Sequence, residues 1–441
     1  MTHGIRSPIS HNRIGPRPNG RTAVYFHQDR GYFGDAAVQT FLEVARARRL
    51  HPLILTPPAG HATHLDAPNV TVVEADLASG HDVIRALHKH LPTTPPVAIV
   101  ASYERHLIPA ARARAYFDVP GITLRTARRF RDKSDMHATL RRASPKHFVL
   151  PEALDSIHSR QTLQAFVDAH HGRAVVKLRV GSGCREVYPI NDGAIGAVWD
   201  TIARHPRSYR VEEFLDTRTH QFHVDTLRHG GTSVFAVPSQ YTYNVLGFRA
   251  QTESPGTISR HHDTDPVCAQ LRQANEEILS ILGLTDGAAH AEFFEVGGRL
   301  VFGEVGARVG GGPIRSMLTA LTGLDPMEGW FRMQLDPSYI PRLPQQRTSL
   351  EVGALVLSTP QRGTITAMTD PTALIHGTTR HVALWTCAGD EIASPAHSVE
   401  GLGFALVEGR NRKKILDDFA GLQQSFSVTM APCRTSARKA A

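Results

Sequence analysis

The chain has 441 residues, 41% of them hydrophobic and 20% charged, which indicates a globular protein of roughly three domains. The formal net charge is +8, but the basic residues are dispersed without interleaved aromatics, which argues against nucleic acid and favours anionic small molecules as partners. No apolar run suits a membrane helix or a signal peptide, and four widely spaced cysteines without a CxxC pair favour a cytoplasmic protein without disulfides or structural zinc.

The N-terminal region is predicted to be a basic tail followed by a parallel sheet. Residues 1–20 and, at the other end, residues 431–441 are predicted to be disordered basic tails. Residues 21–125 alternate strand and helix patterns. Strands are predicted at Ala23–His27, Leu53–Thr56, Val70–Glu74 and Val97–Ala101, and the last helix from about Glu104 to Phe117. This order predicts a parallel sheet with helices on both faces.

Residues 126–215 are predicted to form a second unit that begins with a basic segment. Arg125–Arg142 is predicted to be one helix with Asp132 and Lys133 in its middle. Such a charge run is most often a solvated helix face.

A lysine and a glycine turn in this unit suggest a phosphate site. Lys177 stands among apolar residues of the strand predicted at Ala174–Leu178, where burial of a lysine is costly without a counter-anion. The turn Gly181-Ser182-Gly183 is typical of a flap that folds over phosphates, although such a turn alone is commonly a plain one. The later strand that ends in Glu212-Glu213-Phe214-Leu215 could offer a nucleotide base a backbone donor and acceptor, and an ordinary strand with an acidic end is the equal alternative.

The stretch Gly287–Pro313 is the most informative part of residues 216–345. Two apolar runs, Ala288–Val296 and Leu300–Val305, are joined by Gly297-Gly298-Arg299, which predicts a β-hairpin. Each run carries one carboxylate, at Glu292 and at Glu304, and paired strands can place two such side chains on one face.

Two neighbouring carboxylates repel each other unless a cation lies between them, and Mg²⁺ suits such oxygen ligands. Arg308, which follows Glu304, supplies a planar fork for phosphate or carboxylate. The glycines Gly310-Gly311-Gly312 allow backbone N–H groups to approach an anion. The cluster predicts phosphoryl chemistry, and the alternative is a solvated edge hairpin.

Two further regions are less specific. Arg260-His261-His262 fits no zinc motif and is predicted to be a substrate-facing loop or a polar surface. Residues 346–430 are rich in glycine and β-forming residues and are predicted to be a small antiparallel C-terminal domain.

Taken in order, these elements resemble the ATP-grasp superfamily of ATP-dependent carboxylate–amine ligases over about residues 22–430. Asp132-Lys133 resembles its DK element, and Val176–Gly183 resembles its second lysine and flexible loop. Glu212–Leu215 resembles its hinge, where Glu213 and Leu215 would meet adenine through backbone groups. Two stretches resemble the family's metal-binding core: His290-Ala-Glu292-Phe293 and Glu304-x-x-x-Arg308-x-Gly-Gly-Gly.

The resemblance implies an α/β fold class with α+β grasp lobes. The expected parts are an N-terminal parallel α/β domain at 21–125, a small grasp lobe with a glycine flap at 126–215, a large grasp lobe with a metal site at 216–345, and a β-rich C-terminal domain at 346–430.

Two positions depart from the family pattern. Gln221 stands where the family often has a glutamate for the ribose, and Gly306 stands where it often has a metal-binding asparagine. One metal ligand is therefore missing or comes from elsewhere. The layout is most similar to bacterial L-amino-acid ligases and related peptide ligases.

The resemblance implies an ADP-forming enzyme in which an amino-acid-like carboxylate becomes an acyl phosphate and is joined to the amine of an amino acid or peptide. It implies ATP and one or two Mg²⁺ ions, with Mn²⁺ as a substitute. The implied partners are a small-molecule carboxylate and an amine, without nucleic acid or membrane, and a homodimer is left open.

The resemblance also implies roles for individual residues. Glu292 and Glu304 are the expected metal ligands, and Arg308 is the expected catalytic residue. The expected ATP-binding residues are Lys133, Lys177, Gly181, Ser182, Gly183, Glu212, Glu213, Phe214, Leu215 and Gln221. The candidates for substrate binding are Arg260, His261, His262, Gly311, Gly312 and Arg315, with the stretch Tyr241–Asn244.

Two other functions are left open. A biotin-carboxylase-like enzyme that activates bicarbonate shares the three-part layout with a β-rich C-terminal domain. A nucleotide-binding module without catalysis is suggested by the departures at Gln221 and Gly306.

Overall fold

The computed structural model describes residues 20–27, 32–58, 69–91, 94–183, 186–191, 193–215, 220–243, 255–260, 265–344, 350–392 and 401–431. The chain divides into two compact units. Unit 1 comprises the described residues of Met1–Ala127 and Trp330–Ile340, and unit 2 those of Arg128–Gly329 and Pro341–Ala441. Among these residues no helix combines the length and the apolar character needed to cross a bilayer.

Unit 1 is built on a four-stranded sheet of order β3-β2-β1-β4 in which every pair is parallel. This confirms the predicted parallel sheet. A single 3₁₀ turn, Glu104–His106, precedes the third helix, which therefore begins later than predicted. In chain order the elements are β1 Thr22–Phe26, α1 Tyr32–Ala47, β2 His51–Thr56, β3 Thr71–Glu74, α2 Gly80–His90, β4 Ala98–Ala101 and α3 Leu107–Phe117.

The core of unit 1 follows from apolar periodicity. Along α1, Val38, Phe41, Leu42 and Ala45 recur at helical spacing, and all four are at most 1% exposed. The residues of β1 and β2 are buried without alternation, as expected for a parallel sheet that is covered on both faces.

The basic segment Arg125–Arg142 forms two helices instead of the single helix predicted. They are α4 Leu124–Arg129 and α5 Lys133–Ala143. The break lies at Asp132, whose side chain accepts hydrogen bonds from the backbone N–H groups of Ser134 (2.9 Å) and Asp135 (3.4 Å). An aspartate in this position starts a new helix because it satisfies N–H groups that have no partner within the helix.

Unit 2 contains a four-stranded sheet of order β5-β8-β6-β7, flanked by helices. The strands of this small sheet pair antiparallel. In chain order the elements are β5 Ala153–Leu154, α6 Arg160–Ala169, β6 Ala174–Leu178, β7 Val187–Ile190, α7 Ile195–Ile202 and β8 Tyr209–Glu213.

Unit 2 also contains an eight-stranded sheet of order β13-β12-β9-β10-β11-β14-β18-β16 and a three-stranded sheet of order β17-β15-β19. All their strand pairs are antiparallel. In chain order the strands are β9 Gln221–His229, β10 Thr232–Tyr241, β11 Gly256–Ser259, β12 Gly287–Val296, β13 Arg299–Gly306, β14 Glu351–Leu357, β15 Gly363–Met368, β16 Thr379–Leu384, β17 Glu391–Ile392, β18 Gly403–Gly409 and β19 Val428–Ala431. The remaining helices are α8 Pro266–Leu282, α9 Ile314–Thr322 and α11 Arg412–Ser425 of unit 2, and α10 Pro326–Leu335, whose residues from Trp330 onward belong to unit 1.

The protein thus has the mixed α/β class that was predicted. Residues 346–430 are rich in strand, but β14, β16 and β18 extend the large sheet of unit 2. The domain limits expected from the sequence remain predictions.

The predicted hairpin is β12–β13, and its register depends on one extra residue. Gly297 and Gly298 form the turn with φ of +58° and +77°, values that favour glycine at both positions. Near the turn, Val296 pairs with Arg299 and Phe293 with Phe302, but Glu292 pairs with Glu304. Gly303 is therefore left without an opposite residue, which is a β-bulge.

This bulge places the two carboxylates on one face of the sheet. If the register of the turn continued, Glu292 would face Gly303, and Glu304 would point to the other face because side chains alternate along a strand. The extra residue shifts the alternation of side chains along β13 by one position, so Glu304 points to the face that carries Glu292. A Cβ added to Gly303 would lie 2.8 Å from Phe294 Cε2 and 3.2 Å from the Glu292 carbonyl oxygen, so glycine fits this position best.

We predict that Gly303→Ala lowers the free energy of unfolding by about 1–3 kcal/mol because the added methyl group overpacks the bulge. Gly421→Ala is the matched control, since a Cβ at this position of α11 meets no atom within 4 Å, and alanine inside a helix should raise the free energy of unfolding by about 0.5–1 kcal/mol. Chemical denaturation of both variants measures the effect. Equal stability of the two variants would show that the bulge tolerates a side chain.

Candidate functional site

The carboxylate pair of β12 and β13 meets a lysine from the start of α5. Lys133 Nζ lies 2.9 Å from Glu304 Oε2 and donates to the Gly181 carbonyl oxygen at 3.1 Å. Asp132 orients this helix start, because besides capping α5 it accepts from Arg179 Nε (3.2 Å) and Nη2 (2.7 Å). The predicted Asp132-Lys133 pair therefore divides into a structural aspartate and a lysine directed at the carboxylates.

The second lysine has a carboxylate partner within the protein. Lys177 Nζ lies 2.5 Å from Glu212 Oε2, and Arg210 Nε lies 3.1 Å from Glu212 Oε1. Burial alone would lower the pKa of Lys177, but the charges of Glu212 and Glu304 raise it overall. Burial would likewise raise the pKa of Glu212, but Lys177 and Arg210 lower it to about 2. Lys177 and Glu212 are therefore both ionised at neutral pH.

The hinge residues have well-defined contacts. The Glu213 N–H donates to the Glu152 carbonyl oxygen at 2.9 Å, and Glu213 Oε1 accepts from the Glu152 N–H at 2.9 Å. The Phe214 ring lies under the Arg173 guanidinium, 4.1 Å from its carbon. The N–H of Glu213 is therefore already used, and a ligand at the hinge would need the other backbone groups of this segment.

A buried chain of polar side chains adjoins Glu292. His223 Nδ1 donates to Asp225 Oδ2 at 2.6 Å, and His290 Nδ1 donates to Asp225 Oδ1 at 2.9 Å. At one end, Thr257 Oγ1 lies 2.7 Å from His223 Nε2. At the other end, His290 Nε2 lies 3.5 Å from Glu292 Oε1. The paired register of β9 and β12 puts all these side chains on the face that carries Glu292.

The charges along this chain differ. For His290, burial would lower the pKa, but the Asp225 carboxylate raises it to about 9. For His223, burial outweighs the same carboxylate, and the pKa falls below its ordinary value. Burial would raise the pKa of Glu292, but the hydrogen bond and charge of His290 lower it. At neutral pH an imidazolium thus lies between two carboxylates, and His223 is neutral.

Arg308 and the glycine run lie beside this chain. Arg308 Nη1 donates to the Val309 carbonyl oxygen at 3.0 Å, and its charge also lowers the pKa of Glu292. A Cβ on Gly310 would be 2.6 Å from Asp225 Oδ1, and Gly312 has φ of +60°. Glycine is thus needed for close packing at one position and for a left-handed turn at the other.

A cavity of about 110 Å³ opens onto these groups. Its polar lining includes Glu292, Glu304, Arg308, His290 and Thr257. The rest of the lining is glycine, aliphatic or aromatic: Gly183, Tyr241, Tyr243, Pro255, Gly256, Gly311, Pro313, Ile314, Ala354 and Val356. The Tyr241 hydroxyl donates to Glu292 Oε1 at 3.3 Å, so this ring is fixed against the carboxylate.

Some of the predicted site residues line the cavity, and others do not. Glu292, Glu304, Arg308, Gly183, Gly311 and the two tyrosines line the cavity, and Gln221 begins β9 on the face of Glu292. Arg260 is paired with Asp265 and donates to Gln240 Oε1 at 2.9 Å, and Arg315 donates to both carboxylate oxygens of Asp325. Neither arginine lines the cavity. His261, His262 and Asn244 lie outside the described residues.

The candidate site residues chosen from the sequence did not include His137, Arg210, His223 and Asp225. His223 and Asp225 are two apart in a strand, which places them on one face, and this alternation was the available signal. His137 Nε2 donates to the carbonyl oxygen of the bulge residue Gly303 at 3.2 Å, and Arg210 Nη1 donates to the Lys133 carbonyl oxygen at 2.6 Å. No sequence pattern indicates these two contacts.

Two groups of side chains have donor atoms that suit a metal. The ligand atoms of His223, Asp225 and His290 lie within 4.8 Å of one another, but they are engaged in the hydrogen bonds described above. Glu292 and Glu304 lie opposite each other, offer oxygen donors and line the cavity. Mg²⁺ prefers such hard oxygen ligands and keeps part of its water shell, so the pair fits this ion.

No family model matches the chain. An L-arginine-specific L-amino acid ligase of Bacillus subtilis is 24% identical over 233 residues, which are 50% of this chain and 53% of that protein. The match thus spans about half of the length of that relative.

Several solved structures are similar over nearly the whole chain. An L-amino acid ligase from Bacillus licheniformis has a TM-score of 0.74 at 17% identity, covering 94% of this chain and 100% of that one. A phosphoribosylglycinamide synthetase from Anaerococcus prevotii has a TM-score of 0.68 at 14% identity, with coverage of 93% and 100%. The biotin carboxylase domain of a 2-oxoglutarate carboxylase from Hydrogenobacter thermophilus, crystallised with MgADP and bicarbonate, has a TM-score of 0.65 at 13% identity, with coverage of 92% and 90%. The chain therefore has the ATP-grasp fold that the resemblance implied.

We predict that His137 makes the protein less stable in acid. Burial, and then the charge of Arg210, lower the pKa of this imidazole from 6.5 to about 3. Between these two pH values the unfolded chain binds a proton at His137 and the folded chain does not. The contribution of His137 to the free energy of unfolding should therefore fall by about 1.4 kcal/mol per pH unit as the pH drops from 6.5 towards 3.

The variant His137→Gln retains an N–H donor for Gly303 but does not titrate, so its stability should depend less on pH in this window. His158→Gln at an exposed position is the matched control and should follow the wild type. Urea unfolding at several pH values gives the slopes, and identical slopes for all three proteins would exclude the assignment.

We predict that removal of Lys177 destabilises the protein because the buried carboxylate of Glu212 would keep Arg210 but lose the ammonium group that lies 2.5 Å away. Lys177→Met should lower the melting temperature, and the double variant Lys177→Met/Glu212→Gln should recover part of the loss because the carboxylate charge is also gone. Both variants should lose the rise in melting temperature that ATP induces, whereas Glu212→Gln alone should keep it. A double variant that responds to ATP like the wild type would show that Lys177 does not hold phosphate.

Proposed function

We propose that the protein is an ATP-dependent, ADP-forming ligase that joins an amino-acid-like carboxylate to the amine of an amino acid or peptide. The observation that carries the proposal is that the carboxylate pair Glu292 and Glu304 lines one cavity together with Arg308, while Lys133 is paired with Glu304. Relatives with this fold include L-amino acid ligases. ATP acts here as a substrate, and Mg²⁺ is the expected metal.

In this proposal the lysines hold the phosphates. Lys133 is paired with Glu304, and the charges of Glu212 and Glu304 raise the pKa of Lys177, so Lys177 stays charged. Each is a point charge suited to phosphate oxygens. Glu292 and Glu304 would bind Mg²⁺, which when present shields the phosphate charge from the attacking carboxylate.

Positioning and charge stabilisation would provide most of the rate enhancement, since the substrate carboxylate is itself the nucleophile. His290, held as a cation by Asp225, fixes the position and the charge of Glu292. Arg308 lies where negative charge would gather on the acyl group and the transferred phosphate. Gly183 of the predicted flap lines the same cavity, which fits a role in excluding water from an acyl phosphate.

A bicarbonate-activating enzyme is the second candidate, because the similar structures include a biotin carboxylase domain. The cavity favours the ligase, since most of its lining is apolar or aromatic and bicarbonate has no apolar part to bury. A requirement for biotin would support the carboxylase.

The direct test is phosphate release from ATP with a panel of carboxylates and amines, followed by mass spectrometry of the products. We expect ADP, phosphate and an amide in equal amounts, with activity lost in chelator and restored by Mg²⁺ or Mn²⁺. Full activity in chelator would overturn the metal assignment. Absence of ADP with every pair would leave a binding module.

We predict that Arg308 acts on the transition state. A donor directed at developing charge contributes roughly 3–4 kcal/mol, so Arg308→Ala should lower kcat by ~10²–10³ while the Kd of ATP changes little. Arg308→Lys should also fail because a point charge does not replace a bidentate fork. Single-turnover kinetics and calorimetry separate the two effects, and a loss confined to ATP affinity would make Arg308 a nucleotide ligand.

A further inference from the structure

The cavity has a charged end and an apolar end. Its ionisable acidic and basic residues are Glu292 on β12, Glu304 on β13, His290 on β12 and Arg308 just after β13. The aliphatic lining comes from β14, through Ala354 and Val356, and from Ile314 at the start of α9. In the large sheet, β12 and β13 are separated from β14 by three strands, β9, β10 and β11. The carboxylates of β12 and β13 and the aliphatic side chains of β14 therefore come from strands that are well separated in the sheet, and Ile314 comes from the segment that follows Arg308.

The position of the reacting carboxylate would determine how a substrate lies in this cavity. In the proposed reaction the acyl donor must present its carboxylate to the phosphate, the metal ligands and Arg308. The remainder of the donor then extends along Tyr241 and Tyr243 towards the aliphatic end. This end, rather than the charged one, would contact the side chain of the donor.

We propose that the acyl donor is a single amino acid with an uncharged, aliphatic side chain of moderate size, such as leucine, methionine or valine, whose side chain packs on Ala354, Val356 and Ile314. The inference rests on the proposed ligase function and specifies its substrate class.

The distribution of charged residues around the cavity supports a donor with an uncharged side chain. Among the described residues that line the cavity, Asp, Glu, Lys and Arg occur only at the charged end. A guanidinium, ammonium or carboxylate placed at the aliphatic end would lose hydration without gaining a charged partner among the described lining residues there, which is strongly unfavourable. This chain thus differs in expected preference from the Bacillus subtilis relative that is specific for L-arginine.

Size supports it as well. A cavity of about 110 Å³ is small, which favours a donor side chain of moderate size over a long one. Ala354 is 1% exposed and Val356 is 4% exposed, and they are two apart on β14, so both side chains point to the same face. Ala354 is the smallest side chain of this wall and leaves the space that the donor would fill.

The test isolates the donor by replacing the acceptor amine with hydroxylamine. The donor carboxylate oxygen attacks the γ-phosphorus of ATP and ADP leaves; the hydroxylamine nitrogen then attacks the acyl carbon, phosphate leaves and one proton passes to solvent. The products are an acyl hydroxamate, ADP and phosphate. We expect kcat/KM for hydroxamate formation with leucine, methionine or valine to exceed that with arginine, lysine or glutamate by at least ~100-fold, since these would bury an unpaired charge.

Two variants of opposite effect change the aliphatic wall. Ala354→Leu should lower kcat/KM for leucine at least ~10-fold and shift the preference towards alanine, because the added volume occupies the donor's place. Val356→Ala should improve a larger donor such as phenylalanine relative to leucine, which keeps the test informative if the first variant folds poorly. Ala367→Leu, the same change as the first at an exposed position of β15, is the matched control and should keep the wild-type preference.

The outcomes separate the inference from the proposed function. Hydroxamate formation with arginine as efficient as with leucine, or unchanged donor preference in both wall variants, would overturn the assignment of the donor pocket and leave the ligase intact. If the wall variants change the choice of acceptor in full reactions but not the choice of donor, the aliphatic end belongs to the acceptor and the inference is wrong. Failure of every amino acid to yield ADP and hydroxamate would overturn the proposed function itself.

Discussion

The site depends on one irregularity in a hairpin, the extra residue Gly303 in β13. In a regular hairpin built on the Gly297-Gly298 turn, Glu292 and Glu304 would point to opposite faces of the sheet. The bulge brings them opposite each other, and a histidine from α5 binds the carbonyl oxygen of the bulge residue. That histidine, His137, lies four residues after Lys133 on the same helix, so the bulge and the lysine that meets Glu304 belong to one connected structure.

The large sheet then acts as a single platform for two kinds of chemistry. The face that carries the carboxylates on β12 and β13 also carries the chain from His290 through Asp225 to His223, and this chain ends at Thr257 on β11, beside the aliphatic wall of β14. Because strand pairing fixes the spacing of these groups, charge and apolar surface are held at set distances from each other. The proposed reaction, in which one cavity binds a reacting carboxylate and an apolar side chain, would use this arrangement.

The sequence predicted the parts of this structure that have local signals. The two positive-φ glycines of the turn, the apolar runs of β12 and β13 and the βαβ order of unit 1 are patterns of neighbouring residues, and each was recognised. The bulge was not anticipated, although a glycine within a strand is its usual signal. The pairing of Lys177 with Glu212, rather than with a ligand alone, depends on the register of β6 and β8, which joins residues far apart in the chain. Such partners follow from tertiary structure and are not visible in local patterns.

The partners of the two lysines bear on how ligands would bind. Lys133 is paired with Glu304, and Lys177 with Glu212, so a phosphate that enters must exchange with a carboxylate and does not meet an isolated cation. The exchange is favourable only if the released carboxylate finds another positive partner. Glu212 keeps Arg210, whereas Glu304 lies beside Glu292 and would have a divalent metal as its second partner in the proposed reaction. Binding of phosphate at Lys133 and of metal at Glu304 should therefore favour each other, since each ligand removes the cost that the other would incur.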